Sequence, residues 1–300
     1  MMLLKTLREH FYTSLEQDYP ETEIQAFFNI LADCFLKLKG FEIPLHLYAS
    51  ISGKKIEKFD QAIKRLKKQE PIQYIIGTTE FYGLPFKVNE HTLIPRPETE
   101  ELVNLVLDAT TEKDVISILD IGTGTGCIAI SLAKNKPDAS VYAIDVSKKA
   151  LAVAKINAKL NEVNTKFMEV DILNWEESSF MLDFEPKTFD VIVSNPPYVR
   201  ELEKAHMSAN VLKHEPALAL YVEDTDPLIF YSAITNFATI YLKENGCLFF
   251  EINQYLGAEM VQLLEKSGFA SVTLQKDIFG NDRMVSGVKK SLVINDRQDQ

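Results

Sequence analysis

The sequence predicts an α/β protein: an open, mostly parallel sheet domain preceded by a small helical domain. Three observations carry this reading. The apolar run Val115-Ile116-Ser117-Ile118-Leu119-Asp120 enters a glycine loop, Ile121-Gly122-Thr123-Gly124-Thr125-Gly126-Cys127, and then the helical stretch Ile128-Ala129-Ile130-Ser131-Leu132-Ala133. Two further strand-like runs end in Asp145 and Asp171, and a fourth, Phe189-Asp190-Val191-Ile192-Val193, ends in Ser194-Asn195-Pro196-Pro197-Tyr198. Residues 1–75 instead show a helical period.

In the first 75 residues, Ile24, Phe27, Phe28, Leu31 and Phe35 fall on one stripe of a helix. Pro20, Gly40-Phe41-Glu42-Ile43-Pro44 and Ser52-Gly53 cut this part into short helices. Phe59, Ile63 and Leu66 continue the pattern in a last helix, which carries a basic cluster from Lys54 to Lys68. That cluster reads either as a solvated helix face or as a docking surface for a protein or RNA partner. Residues 76–95 form a linker in which Thr79 to Val88 reads as a β-hairpin with Gly83 near its turn. The main domain, 96–290, opens with a helix through Leu102, Val103, Val106 and Leu107. Later, Gly246 to Ile252 reads as a core strand, and Leu256 to Ser267 as a helix ended by Gly268. Ser271–Leu274 and Arg283–Val288 read as a closing antiparallel pair, and 291–300 as a polar, frayed tail.

The strand ends hold the chemistry. Two consecutive prolines cannot continue a sheet ladder, because neither has a backbone N–H, so Asn195 stands at the carboxyl end of its strand. Ligands of open α/β sheets bind at that edge. An Asn carbonyl beside a backbone carbonyl offers two acceptors to a planar –NH2 group, and Tyr198 offers an aromatic face. The spacing Gly122-x-Gly124-x-Gly126 differs from the dinucleotide fingerprint and from a P-loop. Asp120 before it would repel a pyrophosphate and suits a cation or an amine. Asp145 could accept from both hydroxyls of a ribose, and Asp171 from an adenine amino group. Each acid alone reads equally as a helix cap or a turn residue; acids at three successive strand ends argue for a site.

Asp120-x-Gly122-x-Gly124-x-Gly126, Asp145, Asp171 and Asn195-Pro196-Pro197-Tyr198 resemble the S-adenosylmethionine-dependent methyltransferases that modify planar amino or amide nitrogens. Pro71-Ile72-Gln73-Tyr74-Ile75-Ile76-Gly77, Phe81-Tyr82-Gly83, Leu93-Ile94-Pro95-Arg96-Pro97-Glu98-Thr99-Glu100, Glu215-Pro216-Ala217-Leu218-Ala219-Leu220 and Glu251-Ile252 are similar to one family among them, the peptide chain release factor N5-glutamine methyltransferases. That resemblance runs from about Phe27 to Gly287. It implies a Rossmann-like class I methyltransferase domain behind a helical substrate-docking domain and a linking hairpin. It implies S-adenosylmethionine as cofactor, no metal, and release factors as protein partners, methylated on the glutamine of their Gly-Gly-Gln loop. It places Asn195, Pro196, Pro197 and Tyr198 at the reacting amide. Asp120, Gly122, Thr123, Gly124, Gly126, Asp145, Asp171, Ile172, Trp175 and Asn195 fall at the cofactor, with Ile172 or Trp175 framing the adenine. Arg96, Pro97 and Thr99 line the methionine end; an ion pair of Arg96 with Glu98 or Glu100 is the alternative.

Composition fits this reading. The net charge is −11, and it is uneven: residues 1–75 carry 11 basic and 10 acidic side chains, the remainder 21 and 33. An acidic catalytic part argues against an adenine-N6 DNA methyltransferase, which needs a basic cleft. A guanine-N2 rRNA methyltransferase has only the Lys54–Lys68 cluster in its support, and the intact motif argues against a non-catalytic scaffold. No direct nucleic-acid or membrane partner is expected. Cys34, Cys127 and Cys247 show no metal or disulfide spacing, so reduced thiols in a cytoplasmic protein are the expectation; a monomer is expected besides.

Overall fold

Leu4, Leu7, Phe11 and Leu15 recur at helical spacing and are all buried, which makes α1 (Leu4–Leu15) amphipathic. The computed structural model describes residues 1–112, 115–178 and 184–290; the tail expected at 291–300 lies outside them. The chain forms two compact units: Met1–Thr78 with Ser208–His214, and Thr79–Met207 with the residues from Glu215 onward.

In the first unit, β1 (Met2–Leu3) pairs antiparallel with β2 (Ser50–Ile51), and α1 is followed by α2 (Glu21–Leu36), α3 (Gly53–Leu66) and α4 (Ile72–Ile76). Their shared core is aromatic: the Phe28 ring lies 5.5 Å from both Phe11 and Phe59. Phe59, Ala62, Ile63 and Leu66 are the buried face of α3, so the Lys54–Lys68 cluster occupies its other side. Arg65 does not belong to an open basic surface. It pairs with Glu70 and donates to the carbonyls of Tyr74 and Ile75, tying α3 to α4. Ser208–His214, which the sequence reading gives to the main domain, belongs here instead. A His214 ring nitrogen lies 2.8 Å from the Lys68 carbonyl oxygen, and the Glu70 carboxylate interacts with the same histidine.

The second unit starts within β3 (Thr78–Phe81), at Thr79, and β3 is joined to β4 (Leu84–Lys87) by Tyr82-Gly83. Both turn residues have positive φ, 52° and 69°, the requirement of a two-residue hairpin turn whose twist matches the strands. After α5 (Pro97–Ala109) come β5 (Ser117–Ile121), α6 (Cys127–Asn135), β6 (Ser140–Asp145), α7 (Lys148–Leu160), β7 (Thr165–Glu169) and β8 (Phe189–Ser194). The short β9 (Val199–Arg200) and β10 (Tyr221–Val222) pair in parallel; α8 (Ala209–His214), which lies between them in sequence, belongs to the first unit. The unit closes with α9 (Ile229–Tyr241), β11 (Leu242–Glu251), α10 (Gly257–Lys266), β12 (Phe269–Lys276) and β13 (Asp282–Lys289).

The main sheet has the order β7-β6-β5-β8-β11-β13-β12. Five strands are parallel; β13 runs antiparallel to β11, and β12 to β13. Side chains alternate between two cores. Leu119, Ile192 and Phe250 face the layer holding α9 and α10, while Ile118, Val191 and Phe249 face the layer holding α5 and α6. Burial on both faces explains why these strands read as continuous apolar runs rather than alternating ones. The connection order reverses between β5 and β8, which places a crevice at their carboxyl ends.

Asn157 fastens the hairpin to this frame. It is fully buried on α7, accepts from Lys87 N at 2.6 Å, and donates to the carbonyl oxygens of Lys87 and Thr125 at 3.0 and 2.9 Å. Among the described residues no helix is long and apolar enough to cross a membrane.

Candidate active site

The glycine loop turns back over the end of β6. Gly122 N and Thr123 N both donate to the Ile144 carbonyl, at 2.9 and 3.0 Å, and the turn takes Gly122 and Gly124 through the left-handed region (φ 75° and 56°). Both glycines line a cavity of about 230 Å³ at the crevice. A Cβ on either would meet no protein atom within 4 Å, so that space is open to a ligand.

Asp145, at the end of β6, lines the same cavity. Its carboxylate accepts from Gly124 N at 2.9 Å and Ser147 N at 2.8 Å, joining the loop to the start of α7. Burial raises its pKa, partly offset by those two amides. Asp171 also lines the cavity while capping the turn that follows, accepting from Leu173 N and Asn174 Nδ2. Here the cap reading and the ligand reading apply to one residue. Ile172, Asn195, Pro196 and Pro197 complete the expected residues found on the lining.

Asn195 is held from behind. Its Nδ2 donates to Thr99 Oγ1 at 3.2 Å, and Thr99 Oγ1 donates to Glu251 Oε2 at 2.6 Å. The other carboxylate oxygen of Glu251 accepts from Tyr198 OH at 3.0 Å. Glu251 is 1% exposed, and burial raises its pKa. Thus the arginine-proline run, the Asn-Pro-Pro-Tyr loop and the end of β11 converge on one carboxylate.

The PrmC N-terminal domain profile matches residues 7–77, and that of the methyltransferase small domain residues 99–220. The release factor glutamine methyltransferase of Flavobacterium psychrophilum is 52% identical over 287 residues, covering 95% of this chain and 98% of that protein. The enzyme of the same name from Bacteroides thetaiotaomicron is 42% identical, covering 91% and 95%. The chain belongs to the release factor glutamine methyltransferase family. A crystal structure of a methyltransferase from Pyrococcus furiosus superimposes with a TM-score of 0.50 at 18% identity, over 77% of this chain and 99% of that one, which shows the common fold.

S-adenosylmethionine, the cofactor the resemblance implies, fits this family member's cavity. The two glycines leave room a side chain would fill, Asp145 and Asp171 offer carboxylates to hydroxyl and amino groups, and Ile144, Ile172, Phe230 and Ile234 supply an apolar wall.

Several expected residues lie elsewhere. Asp120 is fully buried behind the loop, not on the cavity. One of its oxygens accepts from Thr123 Oγ1 at 2.6 Å and Ala129 N at 3.2 Å; the other has no partner among the described residues, and burial pushes the carboxyl up to about 7. Asp120 and Thr123 therefore brace the loop from inside. Gly126 is a packing position: it precedes α6 with φ 81°, and a Cβ there would meet Ile130 Cδ1 at 2.9 Å. Trp175 turns away from the cavity into edge-to-face contact with Phe237 and Tyr241, leaving Ile172 as the adenine-side candidate. Tyr198 also points inward, to Glu251, rather than onto the lining. Arg96 pairs with neither Glu98 nor Glu100 but with Glu215, at 2.6 Å.

Sequence reasoning missed the segment Glu90–Leu93 and the residues Pro216, Leu218 and Ala219, all on the lining. The family-like Glu-Pro-Ala-Leu-Ala-Leu run was the available signal for the second group. Phe230 and Ile234 gave none, since their spacing is that of any buried helix.

Proposed function

We propose that this enzyme transfers a methyl group from S-adenosylmethionine to the side-chain amide nitrogen (N5) of the glutamine in the Gly-Gly-Gln loop of peptide chain release factors. The hydrogen-bonded Asn195 at the cavity edge, in a chain 52% identical to a release factor glutamine methyltransferase, carries this reading. The cofactor supplies an electrophilic methyl on a positively charged sulfur, which is also the leaving group, so no metal is needed.

The chain's residues act by positioning and electrostatics. An amide nitrogen is a poor nucleophile because its lone pair is delocalised into the carbonyl. Asn195 Oδ1 and the Pro196 carbonyl would accept its two N–H groups, fix the nitrogen for in-line attack, and stabilise the positive charge that grows on it. Pro196 and Pro197 keep this loop out of the sheet ladder, so that its acceptors stay available. Gly122, Gly124, Asp145, Asp171 and Ile172 would hold the cofactor, with no covalent enzyme intermediate. The acidic main domain favours a protein substrate over a phosphate backbone. The same reading makes the enzyme a cytoplasmic monomer.

Asn195→Ala tests it. Transfer to a purified release factor should be abolished while S-adenosylmethionine affinity, read by calorimetry, survives. Near-normal turnover of that variant would sink the acceptor-pair mechanism.

A further inference from the structure

Glu251 takes no part in the chemistry above, yet the reacting-amide loop is tied to it. Its carboxylate, at the end of β11, is buried and receives two hydroxyl protons: Thr99 Oγ1 on Oε2 at 2.6 Å and Tyr198 OH on Oε1 at 3.0 Å. A hydroxyl has one proton to give. Because the Thr99 proton goes to Glu251, only its lone pairs face Asn195, and it accepts from Asn195 Nδ2 at 3.2 Å. An Asn side chain can present either its oxygen or its –NH2 to a neighbour, and the surrounding network decides which. Here the network has one polarity, from Asn195 through Thr99 to a carboxylate that accepts at both oxygens. The Asn195 amide group must therefore turn its –NH2 inward, which leaves Oδ1 without a donor among the described residues.

We propose that Glu251 is a positioning residue: acting through Thr99, it sets the orientation of the Asn195 amide so that a carbonyl oxygen, not an –NH2, faces the substrate nitrogen. What Oδ1 then accepts from rests on the reading under Proposed function. Without an acceptor at Glu251, the Thr99 hydroxyl can rotate and donate to Asn195 Oδ1. The amide then turns over and presents its –NH2 to a substrate N–H, which loses the hydrogen bond to Oδ1 and leaves the Pro196 carbonyl as the remaining acceptor. Tyr198 serves the same end by occupying the second carboxylate oxygen, so that Oε2 remains committed to Thr99.

The test follows the Asn195 side-chain amide directly. Its 15N–1H pair is assigned by its loss in Asn195→Ala, then followed in the full-length protein and in Thr99→Val, Thr99→Ser and Glu251→Met. S-adenosylhomocysteine affinity, and kcat and KM on purified release factor, are measured alongside. Thr99→Val and Glu251→Met, which has no oxygen to accept from Thr99, should shift the pair and speed its solvent exchange by about tenfold or more. They should lower kcat by about tenfold or more, with KM and S-adenosylhomocysteine affinity within about threefold. Thr99→Ser should restore both. Should Glu251→Met fail to fold, Thr99→Val against Thr99→Ser carries the same comparison. An Asn195 pair that stays put in Thr99→Val, or a kcat retained there, overturns the proposal. A wild-type protein that binds cofactor but methylates no release factor, with the Asn195 pair still responding to Thr99→Val, would sink the functional reading and leave the orientation role standing.

Discussion

Arg96 and Glu215 lie 119 residues apart in the chain and meet in a 2.6 Å ion pair, in which the glutamate side chain is 1% exposed and the arginine 33%. The same carboxylate accepts from Ile94 N at 3.1 Å. Glu215 thereby joins the segment before α5 to the Pro216–Ala219 stretch, and both flank the cavity. Glu215→Ala leaves a buried N–H and an arginine without an acceptor; the arginine can recover water, the amide cannot. The expected loss is about 2–4 kcal/mol of stability together with weaker cofactor binding, whereas Glu215→Gln, which keeps an acceptor for Ile94, loses less. Calorimetric melting of the three proteins checks this, and an unchanged midpoint in Glu215→Ala would contradict it.

Asp120 gives stability an unusual pH dependence. Burial raises its folded-state carboxyl to about 7, against about 4 in an unfolded chain. Between those values the folded protein keeps the proton and the unfolded chain releases it. The contribution of Asp120 is therefore most favourable below about pH 4 and declines as pH rises towards 7, by an amount on the order of a few kcal/mol. Asp120→Asn does not titrate, so its stability relative to wild type should improve from pH 5 to pH 8. Urea midpoints at the two pH values measure the difference; parallel shifts in both proteins would remove Asp120 as the cause.

Two glycines of one loop should fail differently. Gly126→Ala forces a side chain into a left-handed residue and against Ile130 and Ala154, 2.9 and 3.2 Å away, so a loss of about 2–3 kcal/mol in stability is expected. Gly122→Ala carries the backbone strain alone, about 1–2 kcal/mol, but its methyl group enters open cavity space, so S-adenosylmethionine affinity should fall by about tenfold or more. Equal binding by the Gly122 variant would mean that the cofactor does not approach this backbone.

Asp145→Ala should weaken cofactor binding several-fold, about 1–2 kcal/mol, because it removes both the carboxylate facing the cavity and the acceptor that holds Gly124 N. Isothermal titration with S-adenosylmethionine reads it, and unchanged affinity counts against the assignment.

Local signals carried the strands and the crevice. Apolar runs of parallel-sheet length, ended by glycine, acid or proline, placed Gly122, Gly124, Asp145 and Asn195 at one edge, because strand ends in a parallel sheet share that edge. The hairpin turn at Tyr82-Gly83 was legible for the same local reason. What escaped were long-range choices of partner. Nothing near Arg96 indicates that it prefers Glu215 to Glu98, since that depends on which carboxylate the fold buries beside it. Tyr198 read as ligand-facing because an aromatic face suits a planar group, and Trp175 because the resemblance set it beside the adenine, but the core offered them Glu251, and Phe237 with Tyr241. Asn157, a buried polar residue that organises the hairpin, interrupts an otherwise ordinary helix and carried no signal at all.

The most direct measurement incubates the purified protein with methyl-labelled S-adenosylmethionine and a purified release factor, with DNA and RNA as parallel acceptors, and locates the label by peptide mass. The expected result is one methyl on the amide nitrogen of the Gly-Gly-Gln glutamine, absent when that glutamine is changed to asparagine. Label on nucleic acid alone, or on the factor away from that glutamine, would contradict the proposed reaction.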